Sequence, residues 1–418
     1  MTGKIFQRVL VLSLFIVASA TSYAQSGSVR PRRVNPPPSS STTTARTNDA
    51  GGSNTSSDDA GTKISSTNRP TSNVNTSGTA GAGGDTARAY SLFQQKQYAA
   101  AAREAKQVAA SDPNNAEAWK IAGFSEMNLK QYADAAADLK RALDLQRTAG
   151  KEDTNTSDAL AQALVFTEKF EEALPLLTAA TTRKGAQPDA AMLYYRGLSE
   201  YQTNKKADAE RSFNAAVKAN PKDARALYYL GQIAFERNDM DATIAALNRA
   251  TLNDAQIASA WQLLTIAYLR RAGVATVKAR ADADYLNAVR AGDNLVRAHS
   301  DAASNTLLGQ ALIGAGQMVR AATVLEKAAA DKDAKGGTFY LLGFTYSRAK
   351  NYPKAITALE RAAQLSPDDA NVYRELGYAY EISKQYAKAL EAYQKGAQLA
   401  PDDDYFKQSV ERVQPFAK

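Results

Sequence analysis

The stretch LLGFTYSRAKNYPKAITALERAAQLSPDD, Leu341 to Asp369, returns 34 residues later as ELGYAYEISKQYAKALEAYQKGAQLAPDD, Glu375 to Asp403. Small, aromatic and proline residues recur in register while the residues between them change. A chain that repeats a pattern at fixed spacing builds the same small unit repeatedly, and such a unit buries its apolar face only against its neighbours. With Pro367 and Pro401 as equivalent places, the register extends backwards to copies beginning near Ala82, Ala116, Thr154, Ala190, Ala224, Ala258, Ala302, Gly336 and Ala370. About nine copies therefore cover nearly everything after residue 85.

Within a copy, apolar and small residues recur at three- and four-residue offsets, twice, with a short break between. In the eighth copy Phe339, Leu342, Gly343 and Tyr346 mark one helical face, and Tyr352, Ala355, Leu359 and Ala362 mark a second. Pro353 falls in the first turn of that second helix, where the missing N–H costs nothing. Small residues at the eighth and twentieth places let the two helices approach closely. The acidic pairs after the closing prolines, Asp368-Asp369 and Asp402-Asp403-Asp404, are expected to cap the helix that follows.

These residues make the chain resemble the tetratricopeptide repeat family. The family pattern appears as Trp119, Gly123, Tyr132, Ala135 and Ala142 in the second copy, and as Gly197, Ala209, Phe213, Ala216 and Pro221 in the fourth. One copy alone is a weak signal, but the same register over several hundred residues is a strong one. The resemblance implies an all-α fold, a right-handed superhelical solenoid of about nine helix-turn-helix repeats with a C-terminal capping helix. The array is expected over 86–401 and the cap over 402–418. Some places depart from the pattern. Ser157 stands where an aromatic is expected, Pro175 inside a helix is expected to bend it, and the sixth copy carries about ten extra residues around Ala272 to Val289. Those extra residues read as a longer second helix or loop, or as a contact for a partner.

The N-terminal 85 residues are of another kind. Lys4 and Arg8 precede an apolar run from Val9 to Ala20, and Ser22-Tyr23-Ala24 supplies small residues for cleavage. That run is shorter than the ~20 residues of a membrane span, so 1–24 reads as a signal peptide, with an uncleaved anchor as the alternative. Residues 25–85, rich in Ser, Thr, Pro and Gly, have almost nothing to bury and read as a disordered linker. The chain has no cysteine, which closes the lipoprotein route. The expected destination is the periplasm or the cell exterior.

Catalytic patterns are absent from the sequence. Without cysteine there is no thiol nucleophile, zinc knuckle or redox pair. The single histidine, His299, lies near the end of a helix, where a surface or capping role is expected. No glycine-rich phosphate loop and no nucleophile elbow is present. The array after residue 85 holds 43 Lys and Arg against 39 Asp and Glu, with both signs interspersed. A nucleic-acid surface needs a basic stripe instead. The expectation is a non-enzyme with no cofactor and no metal.

In proteins of this family the concave groove is lined by the first helices, which implies groove places at roughly the second, fifth, ninth, twelfth and thirteenth positions of each copy. Read onto this sequence, those places give Tyr90, Phe93, Lys120 and Phe124, then Tyr194, Tyr201, Tyr228 and Phe235. They continue with Arg270, Tyr340, Phe344, Arg348, Arg374 and Tyr378. An aromatic lining with scattered cations suits a protein partner or an extended peptide, because rings offer flat apolar area with few torsions to freeze. The same stripe could instead be packing beside the core.

Taken together, the sequence reads as an exported, non-catalytic scaffold that binds a partner protein. The alternative reading is an accessory subunit of an envelope enzyme, or of a secretion or polysaccharide-export complex. Processing is directly testable. The mature chain is expected to begin at Gln25, and intact-mass analysis of exported protein checks it. Retention of Met1 to Ala24 in a membrane fraction would reverse that expectation.

Overall fold

In a computed structural model, the described residues are 85–185 and 187–417. The expected signal peptide and all but the last residue of the expected linker lie outside them. Every regular element among the described residues is helical, and the helices follow the copies of the sequence pattern. They divide into two compact units, 85–180 and 181–417.

The first unit contains α1 (Ala87–Gln94), α2 (Tyr98–Ser111), α3 (Ala116–Leu129), α4 (Tyr132–Thr148) and α5 (Thr154–Phe166), and most of α6 (Phe170–Thr181). Consecutive helices from α1 to α5 pack together, and α1 also touches α3, as α3 touches α5. Ser157 is buried within a fully formed α5 despite the absence of an aromatic, and α6 runs through Pro175.

The second unit continues with α7 (Ala190–Gln202), α8 (Lys206–Ala219), α9 (Ala224–Glu236), α10 (Met240–Asn253), α11 (Ala258–Val274) and α12 (Lys278–Ala298). It closes with α13 (Ala302–Gly314), α14 (Met318–Ala329), α15 (Gly336–Arg348), α16 (Tyr352–Leu365), α17 (Ala370–Ile382), α18 (Tyr386–Leu399) and α19 (Asp404–Val413). Each helix from α7 to α19 packs on the next. The extra residues of the sixth copy lengthen both its helices, to 17 residues in α11 and 21 in α12. Arg271 on α11 fixes this longer pair, reaching Asp284 on α12 at 2.6 and 2.8 Å and Asp241 on α10 at 2.6 Å.

Local chemistry explains where the helices begin and turn. Orphan N–H groups at first-helix starts donate to side-chain caps. Ala118 N–H donates to Asn115 (3.0 Å), Ala191 to Asp189 (2.7 Å), Ser304 to Asp301 (2.7 Å), Asn371 to Asp369 (3.0 Å) and Tyr405 to Asp403 (3.1 Å). The acids after the closing prolines thus do cap the following helices. At the turn between helices of a pair the chain enters the left-handed region at Lys96, Lys130, Glu168, Asn204, Asn238, Gly316, Lys350 and Lys384.

The pair contact has a fixed form. A Cβ added at Gly377 would lie 2.5 Å from Tyr393 Cε1, one at Gly343 2.5 Å from Leu359 Cγ, and one at Gly197 2.8 Å from Phe213 Cδ1. In each case the eighth-place glycine meets a large residue sixteen positions later on the antiparallel partner. The alanines that back this contact, such as Ala355 and Ala389 at the twentieth place, are fully buried. At the end of the chain α19 covers the last pair by burying Phe406, Ser409 and Val413, so the capping helix is in place.

The close approach generates a paired test. Gly377→Leu should overpack the Tyr393 contact and destabilise by ~1–3 kcal/mol. Gly316→Asn should be far milder, because nothing lies within 4 Å of its missing Cβ and asparagine tolerates the left-handed region. Thermal melts of the two variants check this, and equal shifts would contradict the packing.

Candidate functional site: the first-helix face

Within the second unit α9 touches α11, α11 touches α13, α13 touches α15 and α15 touches α17, in addition to the contacts between chain neighbours. Among the described residues no contact of similar extent joins successive second helices. Stacked pairs whose first helices approach more closely curve towards those helices, so the first-helix face is the inner one. The first unit has the same arrangement through α1, α3 and α5.

The structure sorts the expected groove residues by burial. In the first unit Phe93 and Phe124 are core residues, Phe124 with 0% exposure. Tyr90 is half-buried. Lys120 is buried too, and its ammonium is used internally, 2.6 Å from Glu117 and 3.7 Å from Asp153. In the second unit Tyr194, Tyr340 and Phe344 are buried. The expectation of an exposed ring therefore needs correcting at Phe93, Phe124, Tyr194, Tyr340 and Phe344.

Tyr194 shows the reason. Its fifth-place ring turns towards the neighbouring first helix, 6.2 Å from Tyr229, and also meets Phe213 at 6.0 Å. Arg225 lies over it at 4.3 Å, leaving the ring 5% exposed. Burial raises its phenol pKa far above the ordinary range. The helical face marked by Phe339, Leu342, Gly343 and Tyr346, and its counterpart in the ninth copy, is not uniformly buried. Tyr380 is buried, whereas Tyr346 is only half-buried.

Tyr201, Tyr228, Phe235, Arg270, Arg374 and Tyr378 remain half-buried, and Arg348 is exposed. Tyr228 and Phe235 pack against the core at their backs while keeping part of their surface open. Tyr201 donates its hydroxyl to Glu236, which also meets Lys206 at 2.7 Å. Arg348 lies 4.4 Å over Phe344 and donates to Glu375 at 3.0 Å. Arg374 donates to Asp403 and stacks over Tyr405 at 4.8 Å. Tyr378 meets Tyr352 edge-on at 6.5 Å. Arg270 lies 4.3 Å over Phe235. Tyr201 of α7, Tyr228 and Phe235 of α9 and Arg270 of α11 thus place half-open lining residues on three successive first helices.

One recurring device escaped the sequence reading. A polar residue at the eleventh place of a copy bonds back to the twenty-fifth place of the copy before. Tyr346 and Tyr380 donate to Glu326 and Glu360, Asn248 donates to Tyr268 at 3.2 Å, and Lys106 meets Glu126 at 2.5 Å. The signal was present as polar pairs twenty residues apart, hidden by the changing residue types.

The last of these stitches is electrostatically loaded. Glu126 is 2% exposed, Asp138 7% exposed, and Lys106 reaches both, Asp138 at 3.4 Å. Two buried carboxylates share one ammonium. Burial pushes Glu126 up to about 7, with the Asp138 charge adding to it and the Lys106 hydrogen bond opposing it. Asp138 is raised as well, first by burial; Lys106 opposes that shift and the charge of Asp134 adds to it.

Among the described residues no group of three or more His, Asp or Glu side chains is placed to hold a metal ion, and no helix is long and apolar enough to cross a membrane. His299 ends α12 as its cap residue, its Nε2 3.3 Å from Asp301. A shallow cleft at the C-terminal end is lined by residues including Ile382, Lys384, Tyr386, Arg412 and Phe416, and there Arg412 donates to both oxygens of Glu381 at 2.8 and 3.0 Å.

Models described as tetratricopeptide repeat match residues 86–150, 159–209, 196–260 and 336–402. The chain belongs to the tetratricopeptide repeat family. A model for subunit 3 of the anaphase-promoting complex also matches 281–362, the stretch that includes most of α12. A comparison with curated proteins found no match. Similar solved structures include YrrB, a repeat protein described as having an unusual peptide-binding site. It is 18% identical with a TM-score of 0.41, and the match covers 48% of this chain and 99% of YrrB. The C-terminal part of a repeat protein from Cytophaga hutchinsonii is 15% identical with a TM-score of 0.41, covering 70% of this chain and 99% of that one. A repeat protein from Parabacteroides merdae is 15% identical with a TM-score of 0.39, covering 63% and 98%.

The Glu126 site yields a pH prediction. Its carboxyl is raised above its unfolded value, so the folded state binds the extra proton. The associated stability is fully present below pH ~4.5 and is lost as pH rises through about 7. A loss of about 1–3 kcal/mol is expected, and Glu126→Gln should flatten it. Urea melts of the full chain and this variant between pH 5 and 8 check the slope; the same slope in both would place the proton elsewhere.

Proposed function

We propose that this chain is an exported, non-catalytic adaptor that holds an extended segment of a partner protein against the first-helix face of its second unit. Membership of a family of protein-interaction scaffolds supports the general role. The observation that carries the specific one is the half-open aromatic surface of Tyr201, Tyr228 and Phe235 on α7 and α9. Rings fixed from behind and open in front lose little freedom on binding, which is where interface energy concentrates. The signal-like residues 1–24 support export and a place in the envelope.

The test separates binding from packing. Phe235→Ala should weaken partner binding by about 2 kcal/mol, roughly thirtyfold, with a small change in melting temperature. Tyr194→Ala should cost ~3–5 kcal/mol of stability, as for a core aromatic. A photo-crosslinking residue at Tyr228 should yield adducts with one defined segment of a partner. The same residue at Val319, 85% exposed on the second helix α14, should not. Equal labelling from both positions would contradict the groove.

A further inference from the structure

The arginines of the first-helix face differ in how their charge is balanced. Arg225 lies 3.5 Å from Asp223, Arg348 3.0 Å from Glu375, and Arg374 meets Asp403. Next to Arg270 in sequence, Arg271 is held by Asp284 and Asp241. Arg270 has none of this. It is half-buried at the thirteenth place of the sixth copy, with its guanidinium 4.3 Å over the ring of Phe235, and no carboxylate among the described residues lies within ion-pair distance of it. Glu236, the nearest acid in sequence to Phe235, is engaged by Tyr201 and Lys206.

A partly desolvated cation with no counter-ion is costly unless something else neutralises it. Stacking on Phe235 offsets part of the cost, and burial still depresses the basicity of Arg270 with no acid to restore it. Stacking also holds the planar guanidinium in a fixed orientation. A carboxylate fits that plane through two parallel hydrogen bonds, a match that an ammonium group lacks.

We propose that Arg270 is the anion anchor of the first-helix face, and that the bound segment places an aspartate or glutamate side chain on it beside Phe235. This rests on the reading of that face as a peptide groove. A side chain is assigned in preference to a terminal carboxylate because the face continues past Arg270 in both directions, to α9 on one side and to α13 on the other. An extended segment therefore crosses the anchor in mid-course. The other arginines of the face, already neutralised, add little demand for negative charge. The expected ligand is an extended segment with an isolated acidic residue flanked by apolar ones.

Selection of random twelve-residue peptides displayed on phage against the full chain tests this. Peptides recovered on the natural chain should be enriched in Asp or Glu, and those recovered on Arg270→Glu in Lys or Arg. For the tightest peptide, exchanging its acid for the matching amide should weaken binding about tenfold on the natural chain, the effect of a charge-assisted pair. On Arg270→Gln the same exchange should have less than about a twofold effect, and Arg270→Lys should keep part of the preference. Recovered peptides without acidic enrichment, or the same tenfold loss on Arg270→Gln, would overturn the anchor and leave the groove standing. Loss of binding on amidating the peptide's C-terminus, with no effect from its acidic side chain, would overturn the side-chain assignment. Recovery of no peptide, or of peptides indifferent to Phe235→Ala, would remove the groove and the anchor together.

Discussion

Everything in this fold depends on two antiparallel helices coming close enough for a missing side chain to matter. In six of the nine copies the eighth place is a glycine, leaving a gap that one Leu, Phe or Tyr of the partner helix fills, as Tyr393 does against Gly377; elsewhere Ala89, Ala161 and Thr265 hold the place. The gap fixes the height of one helix against the other, and that sets which places turn towards the next pair. Fully buried alanines at the twentieth place keep the rest of the pair narrow. With the pair fixed, stacking is the remaining way to bury its faces, and the chain does so until α19 covers the last one.

Stacking also decides which aromatic residues are available to a partner. A first helix has a neighbour on each side, so a ring aimed at that neighbour is consumed by the stack. Tyr194 is used in this way, against Tyr229, and Tyr340 and Phe344 are buried as well. Tyr228 and Phe235 lean on the core and keep an open edge. The same logic governs charge: a guanidinium that meets an acid from the next helix belongs to the architecture, and Arg270 stands apart because no such acid reaches it.

The repeat register, the helix pairs, the capping acids and the terminal cap were legible in the sequence because they recur and because each follows from local chemistry. The family resemblance, read through the period, pointed to the first-helix face. It failed for individual rings because a one-dimensional place does not say whether a side chain at the fifth position reaches the groove or the adjacent helix. That depends on the angle between successive pairs, and hence on neighbours 34 or more residues away. Lys120 shows the same limit: it reads as a groove cation, yet Glu117 and Asp153 enclose it. The polar stitches between copies were hidden for a different reason. One geometric role is filled by Lys with Glu, by Asn with Tyr and by Glu with Tyr, so no single residue type marks it.

Those stitches are unevenly distributed along the second unit. Asn248 and Tyr268 tie the fifth copy to the sixth, and Arg271 reinforces the same joint through Asp241. At the joints on either side the eleventh place is apolar, Ala234 before and Leu312 after. Side-chain polar links at those outer joints include exposed ion pairs, Arg237 with Glu210 and Arg320 with Asp293, which contribute little and weaken in salt. In a stacked array stability is a sum over neighbouring interfaces, and each joint draws on a different mixture: the one before α9 also holds Tyr201 and Lys206 on Glu236 and the Phe213–Tyr229 stack at 5.1 Å. Ionic strength therefore acts first on the exposed pairs that flank α9 to α12, the helices that carry Tyr228, Phe235 and Arg270, and leaves the packed rings of those joints in place.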